Sequence, residues 1–433
     1  MPNPVEENRV NWCWIGAVTN NSVTIKAKIR QDIISQNMSI KYSKNTNFQD
    51  FATDNATEIA SDGQIATFKL NNLEEDTKYY YVISAGGGRY PKAPEYLTFK
   101  TVKVHKQYDF AIGFGSCAGG NSYNSGVSNS EVFDIIREYE NPSLALFIHM
   151  GDLHYRNDVE MLGFVEENID DYRENYHEVM LQKRQRNLYQ NLSLAYVWDD
   201  HDYGPNNSNG TYELKDIASK AYREQFPHYF LPDAGAIYQS FVVGRVRFIM
   251  TDCRFYGDPI DKEDDPNKTL LGNEQREWLL EQLCKGKHYQ ETNQEGLTIW
   301  VNSIPWIGSE DDNDTDSWNK YSYERKIIAN FIKNEEINKL LMISGDAHML
   351  ALDDGEEGTA NSYAEEGGGS FPVIHAASLD STESVKGGPY NRGAIPGSEQ
   401  WGLLVFNDDG TNIEVKVELK RKNETKIAHT FTF

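Results

Sequence analysis

The chain opens with short stretches in which apolar and polar residues alternate, the pattern of half-buried β-strands. Clusters of turn-forming residues, such as Ser61–Gly63 and Gly86–Gly88, separate these stretches. The pattern predicts strands at Trp12–Val18, Ser22–Ile29, Ser39–Tyr42, Gln64–Leu70, Tyr79–Ser84 and Tyr96–Thr101. Short strands at this spacing favour an all-β sandwich, which we assign to residues 1–103.

Beyond Lys103 the pattern changes to apolar strands that alternate with helices. The predicted strands are Tyr108–Gly115, Leu144–Met150, Leu194–Trp198, Arg245–Thr251, Leu297–Val301 and Leu340–Ser344. The predicted helices are Glu131–Glu140, Tyr172–Asn191, Asn273–Leu283 and Tyr323–Ile332. This alternation is typical of βαβ units around a largely parallel sheet, so we assign residues 104–433 to an α/β domain. Strands return after Trp401, with Asn407–Gly410 as a hairpin turn.

Length and composition agree with two domains and narrow the choice of partners. At 433 residues the chain exceeds what one hydrophobic core usually organises, and 39% hydrophobic residues can fill a large core. The 66 acidic and 42 basic side chains give a formal net charge of −24. A field of this sign repels nucleic-acid backbones and anionic membranes, so we expect no stable nucleic-acid complex.

The cysteines and the first residues of the chain bear on the cellular compartment in which the protein acts. The four cysteines, at 13, 117, 253 and 284, fit neither a disulfide framework nor a paired zinc motif. No apolar run approaches the roughly 18 residues that suggest a transmembrane segment. Residues Met1–Glu7 lack the charged and apolar regions of a signal peptide. The protein is either cytoplasmic or the mature form of a secreted or periplasmic protein, and we favour the second. We also expect it to be a monomer.

Candidate chemistry appears where the buried strands end. The residues that follow them are Ser116-Cys117, Gly151-Asp152-Leu153-His154-Tyr155, Asp199-Asp200-His201-Asp202, Thr251-Asp252-Cys253-Arg254, Asn302-Ser303 and Gly345-Asp346-Ala347-His348. Taken singly, most of these could be capped turns or small core residues. Three carboxylates within Asp199–Asp202 repel one another unless something neutralises them. Because ligands of open α/β sheets bind at the carboxyl ends of strands, two or more cations would account for the whole set.

These motifs, in this order, resemble the signature series of PhoD-like alkaline phosphatases, in the calcineurin-like metallophosphoesterase superfamily. The segment Leu70–Tyr81 also resembles a corner of fibronectin type III modules, although it lacks the usual proline. The resemblance implies an α/β metallophosphoesterase fold, a layered β-sandwich core flanked by helices, preceded by a fibronectin III or immunoglobulin-like domain. The chain departs from the family at three places. Ala118-Gly119-Gly120 follows Cys117 where the family usually has a glutamine, and Asp202 stands where glutamate is common. Cys253 interrupts the usual surroundings of the Thr-Asp-x-Arg motif.

The resemblance also implies a metal centre. One metal would be held by Cys117, Asp152, Tyr155 and His348. Thiolate and phenolate ligands suit Fe³⁺. A second metal would take Asp152, Asp200, Asp346 and Asn206, and this oxygen-rich set suits Ca²⁺. Manganese, magnesium or zinc could stand in place of either.

The implied activity is the hydrolysis of small-molecule phosphate esters, most simply as an alkaline phosphomonoesterase, with a metal-bridging hydroxide as the nucleophile. Arg254 offers a planar fork for phosphate oxygens, or else a surface salt bridge. His201 could protonate the leaving group or orient a ligand, and Asn302 is a further site candidate.

Two other functions remain open at this point. A phosphodiesterase or phospholipase would use the same metals and scaffold with a wider pocket. A non-catalytic, calcium-stabilised surface-binding protein would use the amino-terminal sandwich to contact a partner. The acidic run Glu310–Asp316 reads as a solvated loop, with a calcium site as the alternative.

Overall fold

Two large β-sheets and a smaller one organise the chain in a computed structural model, which describes residues 9–34, 37–119, 126–157, 166–308, 316–356 and 359–433. The strands of the amino-terminal part are β1 Val10–Gly16, β2 Val23–Ile29, β3 Met38–Ser43, β4 Ala52–Asn55, β5 Glu58–Ala60, β6 Ile65–Leu70, β7 Lys78–Ala85, β8 Gly88–Tyr90 and β9 Leu97–Lys100. The later strands are β10 Phe110–Gly115, β11 Leu144–Met150, β12 Leu194–Val197, β13 Gln239–Val243, β14 Val246–Met250, β15 Leu297–Asn302, β16 Leu340–Ser344, β17 Met349–Asp353, β18 Val373–Ala376, β19 Ala394–Pro396, β20 Gln400–Asp408, β21 Ile413–Arg421 and β22 Glu424–Thr432.

Helices pack against both large sheets. The α-helices are α1 Val132–Arg137, α2 Ile169–Leu181, α3 Lys183–Tyr189, α4 Asp200–Tyr203, α5 Lys215–Gln225, α6 Asn273–Glu291 and α7 Ser322–Asn334, with short 3₁₀ turns at Gln31–Ile33 and Trp318–Tyr321. The helix predicted at Tyr172–Asn191 is two helices, because Gln182 has an extended backbone between α2 and α3. In the described parts of the chain, no helix is both long enough and apolar enough to span a bilayer.

The predicted strands that carry the candidate chemistry are divided between two sheets. In the ten-stranded sheet, β10, β11 and β12 run parallel. In the seven-stranded sheet, β14, β15 and β16 run parallel in the same way. Residues of both sheets, such as Ile112 and Ile299, share one hydrophobic core, so the sheets form a sandwich. The single parallel sheet suggested by the alternation is therefore wrong in this respect, whereas the predicted layered β-sandwich core is confirmed.

The amino-terminal strands form the predicted sandwich, but one of its sheets is continuous with the ten-stranded sheet. Strands β3, β4, β7, β8 and β9 form a separate five-stranded sheet. Strand β1 instead pairs in parallel with β12, with Gly16 opposite Leu194, and brings β2, β6 and β5 into the ten-stranded sheet. Two buried hydrogen bonds also join the amino-terminal strands to the later part of the chain. Trp14 Nε1 donates to the Gln225 carbonyl, and Tyr81 Oη donates to the Gln190 carbonyl. The boundary at residue 103 stays a prediction.

A buried histidine on β11 gives the fold an expected acid lability. His149 is enclosed by Phe147, Tyr189 and Tyr196, and neither ring nitrogen has a hydrogen-bond partner in the described chain. Burial lowers the pKa of His149 to about 3. Because this folded-state pKa lies below the unfolded value, the neutral form stabilises the fold above about pH 6.5, and this contribution is lost as the pH falls toward 3.

His149→Leu should remove that lability while filling the site with an apolar side chain of similar size. The free energy of unfolding of the wild type should fall between about pH 8 and pH 5 by roughly 2 kcal/mol more than that of the variant, since the unfolded histidine takes up a proton that the folded one does not. Urea unfolding at the two pH values measures this difference. Equal losses in the two proteins would contradict the assignment of His149 as a buried neutral histidine.

Candidate metal centre

The loops that follow the parallel strands of both sheets meet at one end of the sandwich. After β10, the Cys117 amide donates to the Gly151 carbonyl at 3.1 Å, and the Ala118 amide donates to the Asp152 carbonyl at 2.7 Å. The Asp346 amide, after β16, donates to Ser116 Oγ at 3.3 Å across the two sheets. Candidate ligands from β10, β11 and β16 are thereby held at the same place.

The backbone is unusual at these strand ends. Cys117, Asp152 and Asp346 have positive φ angles of 62°, 56° and 71°. A non-glycine residue in this left-handed region costs on the order of 1–3 kcal/mol, and such residues concentrate at functional sites. Gly151 precedes Asp152 with φ 95°, and a Cβ there would overlap Asp199. The strain turns three candidate ligand side chains toward one point.

Four buried carboxylates form the centre of this cluster. Asp152, Asp199, Asp200 and Asp346 each offer a ligand atom within 4.8 Å of all the others. Burial, and then the charges of neighbouring carboxylates, raises the pKa of Asp152 well above its ordinary value. Burial likewise raises the pKa of Asp346. Burial alone would raise the pKa of Asp200, but the charges of Arg254 and His201 bring it below the ordinary value. A bound cation would relieve this repulsion, so the four carboxylates form a group that could hold metal ions.

A thiol, a phenol and an imidazole complete one side of the cluster. Cys117 Sγ lies 3.5 Å from Asp152 Oδ2, and Tyr155 Oη donates to the same oxygen at 2.9 Å. Tyr155 Oη also lies 3.0 Å from His348 Nε2. Burial, followed by the charge of Asp152, raises the pKa of Cys117 and of Tyr155, and burial lowers that of His348 to about 4. Thiolate and phenolate would form here only beside strong positive charge, which a metal cation supplies, so the donor set fits a metal.

Two basic side chains balance part of the carboxylate charge. Arg254 is buried, with Nε 2.6 Å from Asp199 Oδ1 and a two-point contact to Asp316 at 3.2 and 2.8 Å. Its Nη2 is 3.7 Å from Asp200 Oδ1. Lys386 Nζ lies 2.9 and 2.7 Å from the two oxygens of Asp346. The surface salt bridge considered for Arg254 is therefore wrong, and a contact between Arg254 and phosphate stays a prediction.

Two further side chains hold the site in shape. The Asp202 carboxylate accepts hydrogen bonds from the amides of Asp152 at 2.6 Å and Leu153 at 2.7 Å, which fixes the loop after β11. Asn157 Nδ2 donates to the carbonyls of His201 and Gly204, so its Oδ1 faces His201 Nδ1 at 2.9 Å. Since Oδ1 can only accept, His201 carries a proton on Nδ1.

The structure brings together most of the residues predicted from the sequence. Those that meet in the cluster are Cys117, Asp152, Tyr155, Asp200, His201, Asp346 and His348. The Asn206 side chain is exposed, and it is the backbone amide of Asn207 that donates to Asp200 Oδ2, at 2.7 Å. Asn302 is buried against Cys253 and the Ile304 carbonyl rather than against the carboxylates. The ligand and catalytic roles assigned to all these residues stay predictions.

Several residues of the site were missed by sequence reasoning. Asp199 stands in the acidic run after β12, and that run was the available signal for it. Asp316 closes the acidic stretch whose residues 309–315 lie outside the described chain, so the calcium alternative there stays untested. Lys386 lies in a loop without any motif, and only tertiary structure places it against Asp346.

Comparison with known proteins assigns the family. The sequence model of the PhoD-like phosphatase family matches residues 112–394, which is more than half of the chain. The chain belongs to the PhoD-like phosphatase family. Alkaline phosphatase D of Bacillus subtilis (strain 168) is 26% identical to this PhoD-like chain in an alignment of 320 residues, which covers 65% of this chain and 52% of the relative. The match thus spans about half the length of that curated relative.

Solved structures agree with this PhoD-like fold. A structure of PhoD superposes with a TM-score of 0.76 at 17% identity, covering 99% of this chain and 91% of the other. Purple acid phosphatase PPD1 from yellow lupin (Lupinus luteus) seeds superposes with a TM-score of 0.68 at 12% identity, covering 98% and 74%. The predicted α/β metallophosphoesterase fold is confirmed, and at these identities the likeness concerns the fold.

Proposed function

We propose that this PhoD-like chain is a metal-dependent phosphoester hydrolase that acts as a phosphomonoesterase at alkaline pH. The observation that carries the proposal is the cluster of four buried carboxylates beside a thiol, a phenol and an imidazole. Buried charges that oppose one another this strongly are retained where they bind ions or do chemistry. Family membership supplies the class of substrate, a phosphate ester.

The donor chemistry supports two metal positions. Cys117, Asp152, Tyr155 and His348 would hold Fe³⁺, because thiolate and phenolate are strong electron donors. Asp152, Asp200 and Asp346 would hold Ca²⁺, which prefers carboxylate oxygens. When bound, these metals supply the positive charge that stabilises a phosphoryl group under attack.

The surrounding side chains would then hold the site residues in place and protonate the leaving group. Because Asn157 holds Nδ1 of His201, Nε2 is the ring nitrogen that would exchange a proton with the leaving oxygen. Asp202 keeps the Asp152 loop in place, and Arg254 fixes Asp199 against Asp316. Preorganisation of this kind lets the site stabilise charge without rearranging during the reaction.

Cys117→Ser should change the colour of the protein. A thiolate or phenolate bound to ferric iron absorbs visible light, so the purified wild type should be coloured. Serine replaces the soft sulfur with a hard, weakly acidic oxygen, and the visible absorption should shift or fade as iron content drops. Visible spectra with elemental analysis of both proteins measure this. A colourless wild type that contains zinc alone and is fully active would contradict the assignment of iron.

Turnover of a chromogenic phosphomonoester and of the corresponding diester tests the function. We expect faster hydrolysis of the monoester, at alkaline pH, by the metal-loaded protein. Faster hydrolysis of the diester would favour the phosphodiesterase or phospholipase alternative on the same scaffold. Absence of turnover with both esters, in protein that contains its metals, would contradict the proposal and favour a non-catalytic binding protein.

A further inference from the structure

Lys386 stands at the border between the carboxylate cluster and solvent. Its ammonium group contacts both oxygens of Asp346, at 2.9 and 2.7 Å. The Lys386 side chain is 25% exposed, whereas that of Asp346 is 8% exposed. Lys386 is therefore the more solvent-exposed partner of this ion pair.

The loop that carries Lys386 is fixed by its own backbone contacts. Gly387 has a positive φ of 67°, and a Cβ there would overlap the carbonyl oxygen of Ile307. The Gly388 amide donates to the same carbonyl at 3.1 Å. On the other side, the His348 amide donates to Ser384 Oγ at 2.9 Å. These contacts position the loop independently of the ion pair with Asp346.

The loop that carries Lys386 reaches both halves of the predicted metal centre. Lys386 Nζ contacts Asp346, one of the four clustered carboxylates, and Ser384 of the same loop accepts a hydrogen bond from the amide of His348. Arg254 differs from it in being buried, with its nitrogens directed at Asp199, Asp316 and the Ser208 carbonyl. Of these two cations, Lys386 is the accessible one.

We propose that Lys386 binds the phosphate of the substrate and makes the site prefer phosphomonoester dianions to phosphodiester monoanions. The inference rests on the proposed hydrolase function. A phosphomonoester carries close to two negative charges above its second pKa, near 6, whereas a diester carries one. A compact ammonium group at the rim attracts the dianion more strongly, because Coulomb energy scales with charge.

Lys386→Met tests the proposal, with Lys386→Arg as the charge-retaining variant. Val385→Ala, on the exposed neighbour in the same loop, is the matched control. The measurements are kcat and KM for an aryl phosphate and its diaryl diester, the dissociation constant of inorganic phosphate from the metal-loaded protein, and metal content. We expect Lys386→Met to lower the monoester-to-diester ratio of kcat/KM about tenfold, mainly by raising KM for the monoester. The dissociation constant of inorganic phosphate should rise by a similar factor. Arginine should restore most of both, and metal content should not change.

Several outcomes would overturn the proposal. An unchanged ratio with unchanged phosphate binding, equal losses for both esters, or equal defects in the methionine and arginine variants would each do so. Loss of metal from Lys386→Met would assign Lys386 to holding Asp346 instead, and would also overturn it. A wild type that turns over neither ester contradicts the hydrolase function, and the phosphate dissociation constants then decide the role of Lys386 by themselves.

Discussion

Asp152→Asn is expected to lower turnover by roughly 1000-fold or more, since loss of metal binding removes several kcal/mol of transition-state stabilisation. Asp152 Oδ2 lies beside both Cys117 Sγ and Tyr155 Oη, and Oδ1 accepts the His201 amide at 3.3 Å. An amide in its place supplies no anionic oxygen to share between two cations. Asparagine nevertheless keeps the size of the side chain, so the fold should survive.

Thermal melting of the same variant gives an independent readout. Metal binding to the folded state raises the melting temperature of the wild type by mass action. In Asp152→Asn that increase should disappear, because the cluster has lost its central ligand. Metal-free variant should melt no lower than metal-free wild type, since one of the mutually repelling carboxylates is gone.

Asp408→Asn is the matched control for this prediction. Asp408 is also buried, but it pairs with Arg245 beside the amino-terminal ends of β10 and β14. That position is about 20 Å from the cluster, the length of a strand. Its replacement should lower stability while leaving metal content and turnover intact. Turnover in Asp152→Asn above a tenth of the wild-type rate would place the reactive site elsewhere.

Arg254→Met should lower both stability and turnover. Without the guanidinium, the buried carboxylates of Asp199 and Asp316 lose the cation that contacts both, and breaking a buried ion pair costs on the order of 3–5 kcal/mol. The carboxylates around the metals would also lose their fixed positions, and loss of such a support typically reduces activity about 10- to 100-fold. Urea unfolding together with kcat/KM on a phosphomonoester measures both effects.

Arg245→Met separates the two effects of Arg254. Arg245 is buried and contacts Asp408 through Nε and Nη2, so its loss should destabilise the fold to a similar extent. It lies away from the cluster, so kcat/KM of the folded protein should stay near the wild-type value. If Arg245→Met and Arg254→Met lost turnover equally, the loss would reflect stability alone, and Arg254 would have no specific part in the site.

Local sequence patterns predicted strands well where burial was complete. Leu144–Met150 and Leu340–Ser344 have the predicted bounds because each is a mostly apolar run that is followed directly by a glycine. The same runs say nothing about which strand lies beside which. The division into two sheets and the pairing of Gly16 with Leu194 depend on contacts between distant segments. The break at Gln182 was hidden because the helical pattern continues through it.

Site residues were predictable to the extent that they follow strands. Cys117, Asp152 and Asp346 could be found because a polar residue after a buried strand stands out in the sequence. Lys386 and Asn157 act from loops whose composition is ordinary, and only folding brings them to Asp346 and His201. A long-range ion pair such as the one between Arg254 and Asp316 leaves no local pattern at all.

The central claim is tested most directly by measuring bound metal and phosphomonoester turnover together. Both are measured in one preparation of the full chain, before and after chelation. Turnover should fall in proportion to the metal removed and should return when iron and calcium are restored. Full turnover by protein that holds less than about a tenth of a metal ion per chain would contradict the proposal that the carboxylate cluster is a catalytic metal centre.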